Sequence, residues 1–247
     1  MTLGYEKAAH LYDLFDRKEN IDFFYQGVKN FNEILDIGAG TGRIAIPLSK
    51  NGIKVICIEP SPAMRDEFLK KIVNDPNLAK LIKIIPANAA NFRLNKKYPA
   101  AILSGCFDHF LSDEERLASL TNINSHLKIG GKIIFDVFIG LMKDSPLSSA
   151  GIVSIGEDLE YHRFVSTEIQ SKKIKITLIY KAYKKGKLIQ TIKEDSSAGI
   201  INRIKLHELL NQTGFKIINE FSGYNFSTFK NNDPLLIVEA EKVENSS

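Results

Sequence analysis

The stretch EILDIGAGTGRIAIPL, from Glu33 to Leu48, changes character at its centre. Ile34, Leu35 and Ile37 form a short apolar run, the signature of a buried strand. Gly38, Gly40 and Gly42 then occupy alternate positions, and Ile44, Ile46 and Leu48 continue onto a predicted helix. Three glycines between strand and helix let the backbone approach another group closely, and the helix start offers it N–H donors. The stretch therefore predicts a strand-to-helix turn shaped for a nucleotide-like ligand.

Outward from that turn, short apolar runs alternate with helical patterns as far as Phe138. Strands are predicted at Val55–Ile58, Ile82–Ile85, Ala100–Leu103 and Lys132–Phe138. Ser61 suits an N-cap with Pro62 at the first helical position, and Met64, Phe68 and Ile72 recur every four residues behind it. Ser112 with Glu115 reads as a capping box, followed by the stripe Leu117, Leu120, Ile123 and Leu127 and a helix end at Gly130 and Gly131. Strands alternating with helices predict a parallel sheet covered on both faces.

Beyond Phe138 the period changes. Leu141 to Asp158 is rich in Ser, Gly and Pro and reads as a connecting loop. Ile174, Ile176, Leu178 and Tyr180 alternate with polar residues as in a half-exposed strand, KKGK at Lys184–Lys187 reads as a hairpin turn, and Leu188–Ile192 runs back. The section from about Glu160 to Ser196 thus predicts an antiparallel layer beside the main sheet. Ile204, Leu206, Leu209 and Leu210 suggest a helix ending at Gly214, and Phe215–Glu220 and Leu235–Glu241 two further strands. The expected division is 1–138 for N-terminal helices and an α/β core, 139–199 for the antiparallel insertion, and 200–247 for the last helix and strands.

Composition narrows the class. At 247 residues, with 44% apolar and 25% charged residues, the chain has the make-up of a globular protein. It has no apolar run of the roughly 20 residues that span a bilayer. MTLGYEKAAHLYDLF has no signal-peptide pattern, and Cys57 and Cys106 read as free thiols in apolar surroundings, so a cytoplasmic location is expected. A net charge of +4 does not by itself call for nucleic acid. The lysines around the hairpin, with Tyr180 and Tyr183, read either as a basic strip or as a charged strand face that discourages edge pairing. The histidines lack ligand spacing, so no metal is expected.

A dinucleotide loop places its third glycine three positions after the second; in GAGTG it comes two after. Glu59 ends the second strand seventeen residues beyond Gly42, where a carboxylate can accept both hydroxyls of a ribose. With Tyr12-Asp13, Asp22 through Tyr25, EPSPAM, the block FLSDEERLASLTNINSHLKIGGKIIFDVF and Gly214-Phe215 in order, the chain resembles the class I S-adenosylmethionine-dependent methyltransferases. Among them it is similar to the small-molecule branch that includes amino-sugar N-methyltransferases. The resemblance implies an α/β fold, a doubly wound Rossmann-like seven-stranded sheet with an inserted antiparallel β-hairpin layer that lines the acceptor pocket or mediates a homodimer. It implies S-adenosyl-L-methionine as cofactor and a small-molecule acceptor.

Carried onto this sequence, the cofactor site comprises Tyr12, Tyr25, Asp36, Gly38, Ala39, Gly40, Gly42, Arg43, Glu59, Pro60, Met64, Asn88, Ala89, Gly105 and Cys106. Asn88 departs from the pattern, which has Asp there to accept from the adenine amine; an Asn carbonyl can still accept. Tyr12 and Tyr25 either pack the N-terminal helices or present an aromatic face to a sulfonium. His109, with Tyr12 a catalytic candidate, either removes an acceptor proton or shapes the pocket without touching protons; Asp108 beside it is expected to orient the helix or face water. The alternatives are an RNA methyltransferase and a non-catalytic cofactor-binding scaffold subunit. Against the first, the chain has neither an Asn/Asp-Pro-Pro-aromatic motif nor a Pro-Cys nucleophile.

Overall fold

The computed structural model describes residues 6–16 and 18–244. The expectation about a signal peptide falls partly on residues 1–5, outside the described residues. Among the described residues, no helix is long and apolar enough to cross a membrane.

The chain alternates as its periodicity requires. After α1 (Ile21–Val28) come β1 (Glu33–Ile37), α2 (Ala45–Lys50), β2 (Lys54–Ile58), α3 (Pro62–Ile72), α4 (Pro76–Leu81), β3 (Ile82–Ile85), β4 (Tyr98–Leu103), α5 (Asp113–Ser125) and β5 (Leu127–Phe138). The section that follows contains β6 (Ser145–Ile155), β7 (Leu159–Gln170), β8 (Lys173–Lys184) and β9 (Lys187–Gly199), and α6 (Arg203–Gln212), β10 (Phe215–Phe221) and β11 (Leu235–Lys242) complete the fold. The seven-stranded sheet has the order β10-β11-β5-β4-β1-β2-β3. Strands β1 to β5 run parallel, while β11 is antiparallel to both β5 and β10.

Adjacent strand residues face opposite layers, so one strand feeds two cores. Leu35 and Ile37 pack with Leu120 and Ile123 of α5 and Leu206, Leu209 and Leu210 of α6. Ile34 packs with Phe23 and Phe24 of α1, Leu48 of α2 and Phe68 and Ile72 of α3. The chain leaves β1 for β2 and β3, then returns to β4 on the other side of β1. Ligands in open α/β sheets bind at the strand C-termini beside such a reversal.

Several expectations are corrected. Leu141–Asp158 is not a loop, because β6 occupies most of it and a turn leading to β7 ends it. As the edge of a second, four-stranded sheet ordered β6-β7-β8-β9, β6 is held by backbone pairing to β7 alone and is largely exposed, so its serines cost little. The expected hairpin is therefore the β8–β9 half of a four-stranded antiparallel sheet; its turn at Lys185–Gly186 is where the KKGK pattern places it. Ile174 and Tyr180 are buried as expected, whereas Ile176 and Leu178 are half-buried. Tyr180 and Leu178 pack on Ala8, Leu11 and Phe15 of the N-terminal segment. Gly130 and Gly131 do not end α5, which stops at Ser125; they lie in β5, where a side chain at Gly131 would press on the Lys128 carbonyl. Leu127 is likewise the first residue of β5; Ile204 lies on α6 as expected and is 74% exposed.

Candidate active site

A cavity of about 490 Å³ opens at the C-terminal ends of β1, β2 and β4. Its floor is the glycine turn. Gly38 has φ +73° and donates its N–H to the Ile58 carbonyl at 2.8 Å, tying the end of β1 to β2. Gly40 has φ +55°, and the direction a Cβ would take there is empty within 4 Å. Glu59 sits opposite. Its Oε2 accepts from Gly40 N at 2.8 Å and its Oε1 from Ser61 N at 2.7 Å. Burial pushes the Glu59 carboxyl upward, and these two N–H groups pull it back toward ionisation. Each oxygen keeps a further lone pair for a ligand hydroxyl. Ser61 in turn caps α3, accepting from Met64 N at 3.3 Å, which sets Met64 against the cavity.

Of the residues the sequence singled out, Tyr12, Gly38, Gly40, Glu59, Pro60, Met64, Asn88, Ala89, Gly105, Cys106 and His109 line this cavity. Five stand elsewhere. Gly42, at φ +81°, is pressed against the Phe68 ring and serves packing. Asp36, Ala39 and Arg43 border a separate void of about 20 Å³ under the glycine turn, large enough for one water. Tyr25 on α1 packs against the core on the other face of the sheet. The Asn88 carbonyl oxygen already accepts from Ala90 N at 3.0 Å, which leaves one lone pair for another donor.

The structure also adds residues the motifs did not name. Ser61, Ser104, Phe110, Glu115, Ser119 and Glu6 line the cavity. Glu115 was legible only as a capping residue, and its Oε2 does accept from Leu111 N at 2.6 Å. Asp136 on β5 holds the Gly105 N–H at 2.6 Å and the Tyr224 hydroxyl at 2.9 Å, fixing the peptide after β4. No spacing in the sequence signals that pairing, because β4 and β5 are joined through α5. Arg43 performs a similar service: it binds Asn20, donates to Ser104 Oγ at 2.9 Å and lies 3.5 Å from Asp16.

Electrostatics single out two buried acids. Asp36 is raised from its ordinary 3.8 to about 7, chiefly by burial, with Arg43 opposing and Glu59 reinforcing the rise. Its Oδ2 has no hydrogen-bond partner among the described residues. Asp108 is raised to about 7 by burial; it accepts from Phe138 N at 3.2 Å, so it anchors the turn after β4 instead of facing water. An acid raised in the folded state contributes stability that is full below its unfolded value and is lost as pH rises through the folded one. The contribution of Asp36 and Asp108 to stability should therefore fall between about pH 4 and 7. Asp36→Asn should flatten that fall in urea unfolding at a series of pH values, and an unchanged profile would contradict the assignment.

His109, in the short turn Phe107–His109, places Nδ1 3.2 Å from the Ser197 carbonyl on β9. A carbonyl can only accept, so Nδ1 carries the hydrogen and the lone pair of the neutral ring is on Nε2. Burial lowers the pKa of His109, which favours that neutral form. The cavity thus combines a carboxylate beside an open glycine turn, an aromatic hydroxyl and an imidazole. Among the described residues, no His, Cys, Asp and Glu group could hold a metal ion.

Residues 34–131 match the family model for a methyltransferase domain. The likeness covers less than half of the chain. The match ends five residues into β5, so the second sheet lies wholly outside it. An uncharacterised methyltransferase of Bacillus thuringiensis is 28% identical over 142 residues, covering 53% of this chain and 64% of that protein. The chain thus spans less than two thirds of the length of the curated relatives it matches. A methyltransferase from Clostridium acetobutylicum, described as S-adenosylmethionine-dependent, superposes with a TM-score of 0.78 at 15% identity over 97% of this chain and 99% of that one. CalS10, a SAM-bound amino pentose methyltransferase from Micromonospora echinaspora, superposes with a TM-score of 0.74 at 13% identity over 98% and 99%. These likenesses, which span both sheets, show that the matched segment and the added sheet form one known fold.

Proposed function

We propose that the protein transfers a methyl group from S-adenosyl-L-methionine to a small-molecule amine or hydroxyl. The observation that carries this reading is Glu59, a buried carboxylate at the tip of β2, held by the Gly40 and Ser61 N–H groups with acceptor capacity left over. The residues present fit the cofactor. Gly40 leaves open the direction a side chain would fill, and Glu59 stands opposite it with acceptor capacity left for a pair of hydroxyls. When bound, the cofactor supplies a methyl group already activated on a positively charged sulfur.

The chain's own residues bind, orient and exclude water. Glu59 accepts from a pair of ligand hydroxyls, Pro60, Met64 and Ala89 offer apolar walls, and the Asn88 amide offers polar edges. Tyr12 lines the cavity, where an aromatic face attracts a cation. Orientation of this kind lowers a barrier by up to about 7–11 kcal/mol, so the site needs little covalent chemistry of its own. The amino pentose methyltransferase among the structural neighbours supports a small acceptor. Pairing of Lys175 and Lys193 with Asp195, and of Lys185 with Asp158, favours the charged-face reading of the hairpin lysines over nucleic-acid contact. The section 139–199 is assigned the acceptor-side wall or a homodimer contact, because Ser197 reaches His109 from it. Transfer of labelled methyl groups to a panel of small amines and alcohols tests the reading; cofactor binding without transfer to any of them would overturn it.

His109 is assigned the proton. Nε2 takes it from the acceptor as the new bond to carbon forms, and Nδ1 stays on the Ser197 carbonyl. His109→Asn should lower kcat by about 10²-fold or more with cofactor affinity unchanged, and the deficit should shrink as pH rises and the acceptor ionises unaided. A deficit in acceptor affinity that is the same at every pH would reduce His109 to shaping the pocket.

A further inference from the structure

The residues that line the cavity do not explain why the N-terminal segment lies where it does. That segment, including the 3-10 helix Ala9–Phe15, carries Tyr12 onto both the cavity and the small void under the glycine turn. Next to Tyr12, the Asp13 carboxylate closes a three-membered ring of contacts. Its Oδ1 accepts from Thr41 Oγ1 at 2.6 Å, and its Oδ2 binds the Lys71 ammonium. Lys71 Nζ also donates to the Thr41 carbonyl at 2.9 Å, which completes the ring.

The location of each member matters more than the bonds themselves. Thr41 is buried and lies between Gly40 and Gly42, so the clasp grips the glycine turn from inside its own sequence. Lys71 is in the last turn of α3, whose first turn supplies Met64 to the cavity. Glycine at both neighbours leaves the turn's backbone with more freedom than any other sequence, and a side-chain anchor on the residue between them removes it. One carboxylate thereby joins the covering segment, the turn and α3.

We propose that Asp13 is a positioning residue that sets Tyr12 over the glycine turn and holds that turn in its ligand-binding form. The proposal rests on the reading of the cavity as an S-adenosylmethionine site. It assigns Asp13 no contact with the reacting atoms. Its effect passes through Tyr12 on one side and Thr41 on the other, so the three residues behave as one unit.

The test is calorimetric titration of the full chain with S-adenosylhomocysteine in a set of variants. Asp13→Ala should weaken binding about tenfold, equivalent to about 1.4 kcal/mol. Thr41→Val, which reaches the clasp from its other end and keeps its shape, should weaken binding in the same direction. The deciding comparison is non-additivity. In a Tyr12→Ala background, Asp13→Ala should cost clearly less than its tenfold in the parent, because one of the two residues through which it acts is already gone. Asp13→Asn, which still accepts from Thr41, should retain most of the affinity. Equal and additive losses in the two backgrounds, or parental affinity in Asp13→Ala, would overturn the proposal. Failure of the parent protein to bind S-adenosylhomocysteine would instead overturn the assignment of the cavity.

Discussion

Glu59→Ala is expected to weaken S-adenosylmethionine binding by about 1.5–3 kcal/mol, the worth of hydrogen bonds to a charged acceptor. The carboxylate acts twice in this structure. It offers lone pairs to a ligand, and it holds the Gly40 and Ser61 N–H groups that shape the turn and the start of α3. Glu59→Gln should lose less, since its carbonyl oxygen still accepts from one of those groups. Calorimetric titration separates the variants, and parental affinity in Glu59→Ala would mean that the ligand lies elsewhere.

The second large effect distinguishes two glycines of one motif. Gly42→Ala should destabilise the fold by about 2–5 kcal/mol, combining a left-handed backbone with an overpacked core. At φ +81° its new methyl would enter the Phe68 ring, which is buried between α3 and the sheet. Gly40→Val should instead leave a folded protein, at a cost set by backbone strain alone, because no protein atom lies within 4 Å of its Cβ. Its side chain would occupy the space left for the ligand and abolish binding. Urea unfolding and ligand titration on both variants check the contrast. Loss of folding in Gly40→Val with parental stability in Gly42→Ala would reverse the assignment.

That contrast also shows where the sequence was legible. Spacing alone marked all three glycines, and the alternation of strand and helix marked the seven strands of the main sheet, because burial on two faces writes continuous apolar runs. Spacing could not tell which glycine faces a ligand and which faces Phe68, since that depends on a residue 26 positions away in α3. The second sheet was half legible. Strand β8 alternates cleanly, with one face packed on Ala8 and Leu11, but β6 is an exposed edge whose serines carry no periodic signal. Asp13, Arg43 and Asp136 were hardest to read, because their partners at Thr41, Ser104 and Gly105 meet them only in three dimensions. Tyr25 had two readings in the sequence, packing or a ligand contact, and the structure packs it against the core.

The most direct test of the central claim is titration of the parent protein with S-adenosylmethionine, alongside NAD as a ligand with a different demand on the glycine turn. The geometry of Gly38, Gly40 and Glu59 predicts saturable one-site binding of S-adenosylmethionine, with none of NAD at matched concentration. Binding of NAD, or no binding of S-adenosylmethionine by a folded protein, would contradict it.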